Sequence, residues 1–409
     1  MDEAISLGIK NNLNLQKQQI DLTSGSFSER NVWSEIFPTI NANASAGYRT
    51  NVFSDFQTNN PGANYGIGFG INLGLNAGIP HIINNIKLAH QGNLLRYEDA
   101  VNQLSIQITK RFFALVAEKN NLLLLEEILN LAQRQFSRAL ISFQSGLVTE
   151  LVMMQSRLAL ENARYDLSAA STVYKNNMTE FLATLDITYN DDITLTGEID
   201  IIKIIVDAEM LIGEHLHLRP DITRNKQEIE RLENIHRRTV LQSRAPSLNL
   251  SVDWSSSDFD PLRDTLSATA RLNIPIDPWI TGTSRAQDIT RAQDSIEKAK
   301  LDLEMTEETA RMQIRSLAAL LQGSWDSILI ARLSLDVARR TYQLTEQGFL
   351  SGRIEALVLE DVRNNMANVR QRLLQTELSY FNMILDLSAA LNVDWENLIK
   401  TFGVSDEEE

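Results

Sequence analysis

Cysteine is absent from all 409 residues. That excludes disulfides, thiolate metal sites, a thiol nucleophile and an acylated N-terminal cysteine in the chain as it stands. Apolar runs of about 20 residues are missing too, so no helix is long and apolar enough to cross a bilayer. The weaker signal of membrane β-strands is untouched by that absence. Basic residues are the minority, 38 against 53 acidic, and no basic stripe compensates, so nucleic acid and anionic lipid are poor partners. Met1 opens directly in an amphipathic segment; an exported protein would carry a signal peptide that is absent from this sequence. Proline is scarce and uneven. Only 8 occur, none between Pro80 and Pro220 and none after Pro278, and such stretches permit very long helices.

What is present is organised around residues 122–158. Leu122, Leu125, Leu129, Ala132, Phe136, Ala139 and Phe143 step alternately by three and four, the a/d seam of a coiled coil. The seam meets Ser145-Gly146, and a second apolar pattern begins at Val148. Further along, Ile328, Ala331, Leu335, Ala338, Tyr342, Thr345 and Phe349 repeat the seam, followed by Ser351-Gly352 and a new helix from Ile354. Beyond the turn the offset holds, pairing Leu151 with Leu357, Arg157 with Arg363, Asn162 with Asn368 and Arg164 with Arg370. Heptad periodicity alone cannot place matching Phe-x-Ser-Gly turns at one fixed offset, so the chain is an internal duplication.

Between the helical stretches the period changes to two. Ile40, Ala42, Ala44, Ala46 and Tyr48 alternate with Asn41, Asn43, Ser45, Gly47 and Arg49; Tyr65, Ile67, Phe69, Ile71, Leu73 and Leu75 alternate with Gly66, Gly68, Gly70, Asn72, Gly74 and Asn76. The second half repeats this with Leu248, Leu250, Val252 and Trp254 against Asn249, Ser251 and Asp253, then Leu266, Ala268, Ala270 and Leu272 against Thr269, Arg271 and Asn273. The first repeat therefore takes residues 1–184, with a hairpin at 38–78 and a tip at 144–148. Residues 185–204 read as an irregular crossover, 205–393 as the second repeat with a hairpin at 246–275 and a tip at 350–354, and 394–409 as a C-terminal tail ending in a solvated charge run. Two long helices are expected in the first repeat, 82–143 and 148–183, and a bend in the N-terminal helix at Ser24-Gly25-Ser26. At 1.5 Å per residue the longer helix would extend roughly 90 Å, a length suited to a fibre, a spacer or a tunnel.

Four strands cannot close a barrel, and an open sheet cannot sit in lipid with its edge groups unsatisfied. Three chains would supply twelve strands, enough to enclose a water-filled lumen. The fold class expected is mainly α with a β-barrel portion: duplicated coiled-coil helices and two hairpins, assembling as a trimeric 12-stranded barrel continued by a 12-helix tunnel. The apolar strand faces would meet lipid. Asn41, Asn43, Asn72, Asn76, Asn249, Ser251 and Asn273 would line the barrel lumen.

The duplicated order of helix, hairpin and helix pair, the tips FQSGLVTELV and FLSGRIEALV, and LRPDI at 218–222 with its degenerate counterpart NNLNL at 11–15 are similar to the TolC family of outer-membrane efflux proteins. The similarity covers essentially the whole chain. It implies a homotrimeric efflux channel in outer-membrane lipid with a large periplasmic portion, partnered by a periplasmic adaptor (membrane fusion) protein and an inner-membrane transporter, as in tripartite efflux or type I secretion. Ser145, Gly146, Leu147, Ser351 and Gly352 would then form adaptor-docking tips, and Arg353, Glu355, Glu360 and Asp361 a periplasmic gate. Asp361 matches a family position that carries an acidic ring. Val152 and Val358 stand where relatives can have carboxylates, which makes the constriction partly apolar. A solvated helix face is the plain alternative for these charges.

Catalytic and metal chemistry find no support. His215-x-His217 places two imidazoles on different sides of a helix with no third ligand nearby; Gly66, Gly68 and Gly70 do not make a phosphate-binding GxGxxG. Neither an enzyme nor a cofactor is expected. Two other readings stay open: a soluble coiled-coil scaffold or spacer, and a passive outer-membrane pore without a pump.

Overall fold

A computed structural model describes residues 1–49, 62–188, 193, 195–197, 201–257, 264–351 and 353–404. The connections of both hairpins, the tip residue Gly352 and the acidic run 405–409 lie outside them. The chain falls into two compact units, one of Gln19–Arg96 and Thr223–Met305, the other of Met1–Gln18, Tyr97–Ile222 and Thr306–Glu409.

The first of these holds the sheet. Strands β1 (Thr39–Arg49), β2 (Gly62–Asn76), β4 (Ser247–Ser257) and β5 (Thr265–Asn273) form one antiparallel, open sheet in the order β1-β2-β4-β5. The register pairs Asn43 with Gly68, Asn72 with Ser251 and Ser251 with Thr269. Because side chains alternate, this puts the asparagines and Ser251 on one side and Ile40, Phe69, Ile71, Val252 and Trp254 on the other, with Ser256 a polar exception opposite Ile67. Apolar residues here have no core beneath them: Ile40, Tyr48, Phe69, Leu266 and Leu272 are all exposed. Phe69 stacks on Trp254 across the β2–β4 pair, with ring centroids 5.8 Å apart. Beside the sheet, helix α6 (Pro220–Arg244) lies against the first turns of α3 (Ile79–Gln144). Asn234, 6% exposed, donates to the His81 carbonyl at 2.7 Å, and Gln227 donates to the Leu88 carbonyl at 3.2 Å.

The second unit contains the remainder of α3, α4 (Glu150–Thr184), α5 (Ala208–His215), most of α7 (Ser284–Leu350), α8 (Ala356–Leu391), and α9 (Trp395–Phe402). Its apolar residues gather in two main clusters. Ile108, Phe112, Phe113, Met178, Phe181, Phe381 and Leu385 make one; Leu211, Ile314, Leu321, Trp325, Tyr380, Ile384 and Leu398 make the other. Residues from α3 and α4 build the first and residues from α5, α7 and α9 the second, while α8 contributes to both.

Helix α3 runs 79–144, three residues earlier and one later than the bounds read from the sequence, and α4 runs 150–184, starting two residues later and ending one later. The helix is not interrupted at Ser24-Gly25-Ser26: α2 (Leu13–Arg30) continues through it, and the break falls at Asn12, between α1 (Asp2–Asn11) and α2. Asn12 turns to an extended ψ of 118°, and its Oδ1 accepts from the amides of Asn14 and Leu15, capping α2. Around Gly25, the hydroxyls of Thr23, Ser26 and Ser28 bond to carbonyls three or four residues back. They stay inside the helical hydrogen-bond pattern instead of competing with it. In the stretch read as an irregular crossover, Lys203–Ile204 form a two-residue strand, β3, paired with β6 (Gly403–Val404). Tyr380, fully buried, donates to the Ile202 carbonyl at 3.1 Å and accepts from the Ile204 amide at 2.9 Å, which fixes that strand to α8.

Candidate functional site

Three groups of sequence-derived positions can be followed from their local chemistry upward. At the first tip, α3 ends when Gly146 adopts φ +72°, a conformation that glycine enters without steric cost. The Leu147 amide bonds to the Ser142 carbonyl at 2.8 Å and the Gly146 amide to the Phe143 carbonyl at 2.9 Å, the paired bonds of a Schellman cap. Ser145 Oγ adds a bond to the Ile141 carbonyl. The second tip repeats the long Schellman bond at the same offset, Arg353 amide to Gly348 carbonyl at 2.9 Å, and the Ser351 amide bonds to the Gln347 carbonyl as the Ser145 amide does to Ile141; Ser351 Oγ shifts by one residue, to the Gly348 carbonyl. Leu147 is left 78% exposed.

The charged positions after the second tip separate. Arg353, Glu355 and Asp361 are exposed and no ion pair among the described residues joins them; Val358 is 45% exposed and Val152 half-buried. Glu360 points the other way, into the helix cluster, where its carboxylate lies 3.7 Å from the Arg363 guanidinium. Burial holds the Glu360 carboxyl above the usual carboxylate range against the pull of Arg363, and Asp361 adds to the rise. Arg363 is 3% exposed; it donates to Gln135 Oε1 on α3 at 3.1 Å and to Asn364 Oδ1 at 3.3 Å. In the sequence Arg363 stood out only as the repeat partner of Arg157, which is exposed. The signal that marks it is Glu360 three residues earlier on the same helical face.

On the sheet, Asn41, Asn43, Asn72, Asn76, Asn249, Ser251 and Asn273 occupy one face by register. The glycines of β2 are explained by that face. A Cβ at Gly68 would lie 2.7 Å from Asn43 Oδ1, and one at Gly70 would lie 2.5 Å from Asn41 Oδ1 and 2.7 Å from Asp253 Oδ1. The side chains of β1 therefore lie across the bare backbone of β2. The expected lumen positions thus share one surface, whereas the expected gate charges do not make one contact set. His215 and His217 are not joined by any metal-binding cluster among the described residues.

The comparisons with known proteins follow this geometry. The family model described as outer membrane efflux protein matches residues 4–185 and 211–393. Among curated proteins, the probable efflux pump outer membrane protein TtgC of Pseudomonas putida is 23% identical over 302 residues, 71% of this chain. The aligned stretch is 61% of that relative's length. Among solved structures, the CmeC outer membrane channel of Campylobacter jejuni superposes with a TM-score of 0.76 at 18% identity, covering 98% of this chain and 88% of its own. The outer membrane protein VceC of Vibrio cholerae gives 0.73 at 15% identity, covering 96% of each chain. At these identities the structures share the fold. With both halves of the sequence matched by one model, the chain belongs to the outer membrane efflux protein family.

Proposed function

We propose that this chain is the outer-membrane duct of an efflux or secretion assembly. Three copies would close a twelve-stranded barrel and a helical tunnel, with a periplasmic adaptor docked at the tips and an inner-membrane transporter feeding it. The observation that carries the reading is the sheet. It is open, its edge strands β1 and β5 present unpaired backbone, and its apolar face is exposed in a single chain. Such a sheet is a poor soluble surface and a good lipid-facing one once neighbouring copies satisfy the edges. A soluble scaffold would leave that face without an occupant. The family to which the chain belongs and the relatives named as efflux pump outer membrane proteins support the same reading.

The helices add a second support. Exposed Leu151, Met154, Leu158 and Tyr165 on α4 fall at steps of three, four and seven; exposed Ile330, Leu333, Val337 and Leu344 on α7 fall at the same steps. Each is a heptad seam lacking a partner helix, as expected where neighbouring copies meet. In this reading Arg353, Glu355, Glu360 and Asp361 with Val152 and Val358 narrow the periplasmic end. The two repeats, 1–184 and 205–393, supply equivalent halves of each subunit's wall. Expressed with an export signal and extracted in detergent, the protein is expected to have a mass three times 46.1 kDa by detergent-corrected light scattering. A monomer or dimer that stays in solution without detergent would overturn the duct.

A further inference from the structure

Among the described residues, the buried guanidinium of Arg363 is poorly satisfied. It has five N–H donors, and its partners are two neutral amide oxygens, Gln135 Oε1 and Asn364 Oδ1. Its Nε is fully buried and has no hydrogen-bond acceptor. Among the described residues Glu360 is the carboxylate paired with it, and 3.7 Å is a charge contact without a hydrogen bond. A cation held in this way is costly, because burial removes water from a donor that nothing replaces.

Arg363 also lines a cleft of about 800 Å³ between α3, α7 and α8, shared with Arg134, Arg138, Tyr342, Glu127 and Glu346. Two of the three carboxylates near it are engaged elsewhere: Glu127 with Arg370 at 3.2 Å, and Glu346 with the Tyr342 hydroxyl at 3.3 Å. Arg134 and Arg363 both act electrostatically on that same hydroxyl, so two guanidinium charges bear on one spot in the cleft. A second copy of the chain has little access to Arg363, which its own helices already cover to 3% exposure.

We propose that this cleft binds a small monovalent anion of the chloride class on the buried Arg363 guanidinium. The anion would accept from the guanidinium N–H groups that Gln135 and Asn364 leave free, supply the counter-charge that two amides cannot, and reinforce the polar link between α8 and Gln135 on α3. A halide suits the site because the N–H groups left free on one guanidinium, with little room around a side chain only 3% exposed, call for a single compact acceptor. The site is made by one chain, so it stands or falls apart from the duct reading.

The test uses the full chain in detergent, with chloride replaced by gluconate at constant ionic strength and bromide as the crystallographic probe. A ligand that binds only the folded state raises Tm with its concentration. We expect Tm to rise with chloride in the wild type, to be insensitive to it in Arg363→Met, and bromide to give an anomalous peak beside the Arg363 guanidinium. Glu360→Gln retains Arg363 and removes the competing carboxylate, so its chloride midpoint should fall several-fold. Equal chloride dependence in the wild type and Arg363→Met, an unchanged or raised midpoint in Glu360→Gln, or no bromide peak at Arg363 would each overturn the proposal.

Discussion

At the scale of the residue, the glycines of β2 show how a sequence oddity becomes a packing requirement. Gly68 would bring a Cβ to 2.7 Å from Asn43 Oδ1, and Asn43 is the neighbour it meets. Gly68→Ala is therefore expected to cost about 1–3 kcal/mol by overpacking. In Asn43→Ala the same change should cost much less, because the obstructing side chain is gone. A double-mutant cycle on detergent-solubilised protein measures the coupling, and equal costs in both backgrounds would show that strand propensity, not the Asn43 side chain, governs the position. Gly146 is a different case. Among the described residues no atom comes within 4 Å of where a Cβ would stand, and its φ of +72° alone argues for glycine, so Gly146→Ala should cost about 1–2 kcal/mol and Gly146→Asn less. Glu360 gives a pH signature. Burial raises its folded-state pKa, so its contribution to stability is fully present below the unfolded pKa and is lost as pH rises through the folded one. Thermal scans of wild type and Glu360→Gln over mildly acidic to neutral pH should show the wild type gaining on the variant as pH falls; a difference independent of pH would mean that Glu360 does not titrate against folding.

At the scale of the element, the long helices were legible because their signal is redundant: a seam sustained over many turns, uninterrupted by proline, fixes type and extent to within a few residues. The strands were legible because period-two alternation on an exposed face admits little else. Short pieces were not. Helices α5 and α9 and the β3–β6 pair are each too short to carry a period and are held by distant partners such as Tyr380, which pattern reading cannot supply. The helix break moved from Gly25 to Asn12 because a side-chain cap defines an end more strongly than one glycine does. Similarly, the face taken by Glu360 depends on Arg363 and Gln135, residues on two helices. The LRPDI stretch acquires its physical meaning here. Arg219, 9% exposed, forms a bidentate pair with Asp221 at 3.0 and 2.7 Å and also donates to the Ala390 carbonyl and to Gln313. It ties the start of α6 to the end of α8 and to α7. The bonds to Ala390 and Gln313 are lost with the guanidinium, and each hydrogen bond from a charged group contributes about 1.5–3 kcal/mol. Arg219→Lys cannot reproduce the planar fork and should lose most of that stability in urea melts; a loss under ~1 kcal/mol would place the corner among surface ion pairs.

At the scale of the whole molecule, the unpartnered seams and the open sheet make the same demand for neighbouring copies, and they can be tested apart. Leu158 is 62% exposed on the α4 seam and Leu333 65% on the α7 seam. If those seams are buried between copies, each leucine contributes about 1.5–3 kcal/mol to assembly, and a charge there adds the cost of burying it unpaired. Leu158→Glu or Leu333→Glu should therefore convert trimer to monomer in light scattering while the far-ultraviolet dichroism of the helices persists. Leu147, 78% exposed at the tip, is predicted to behave in the opposite way. It lies beyond both seams, so Leu147→Glu should leave the trimer intact. If the tip is where an adaptor docks, that one charge in an apolar contact should abolish efflux and adaptor co-purification together. Intact efflux with a charged tip would free the tips from docking and leave Gly146 and Leu147 as nothing more than the turn between two helices. Loss of the trimer instead would place Leu147 at the interface between subunits.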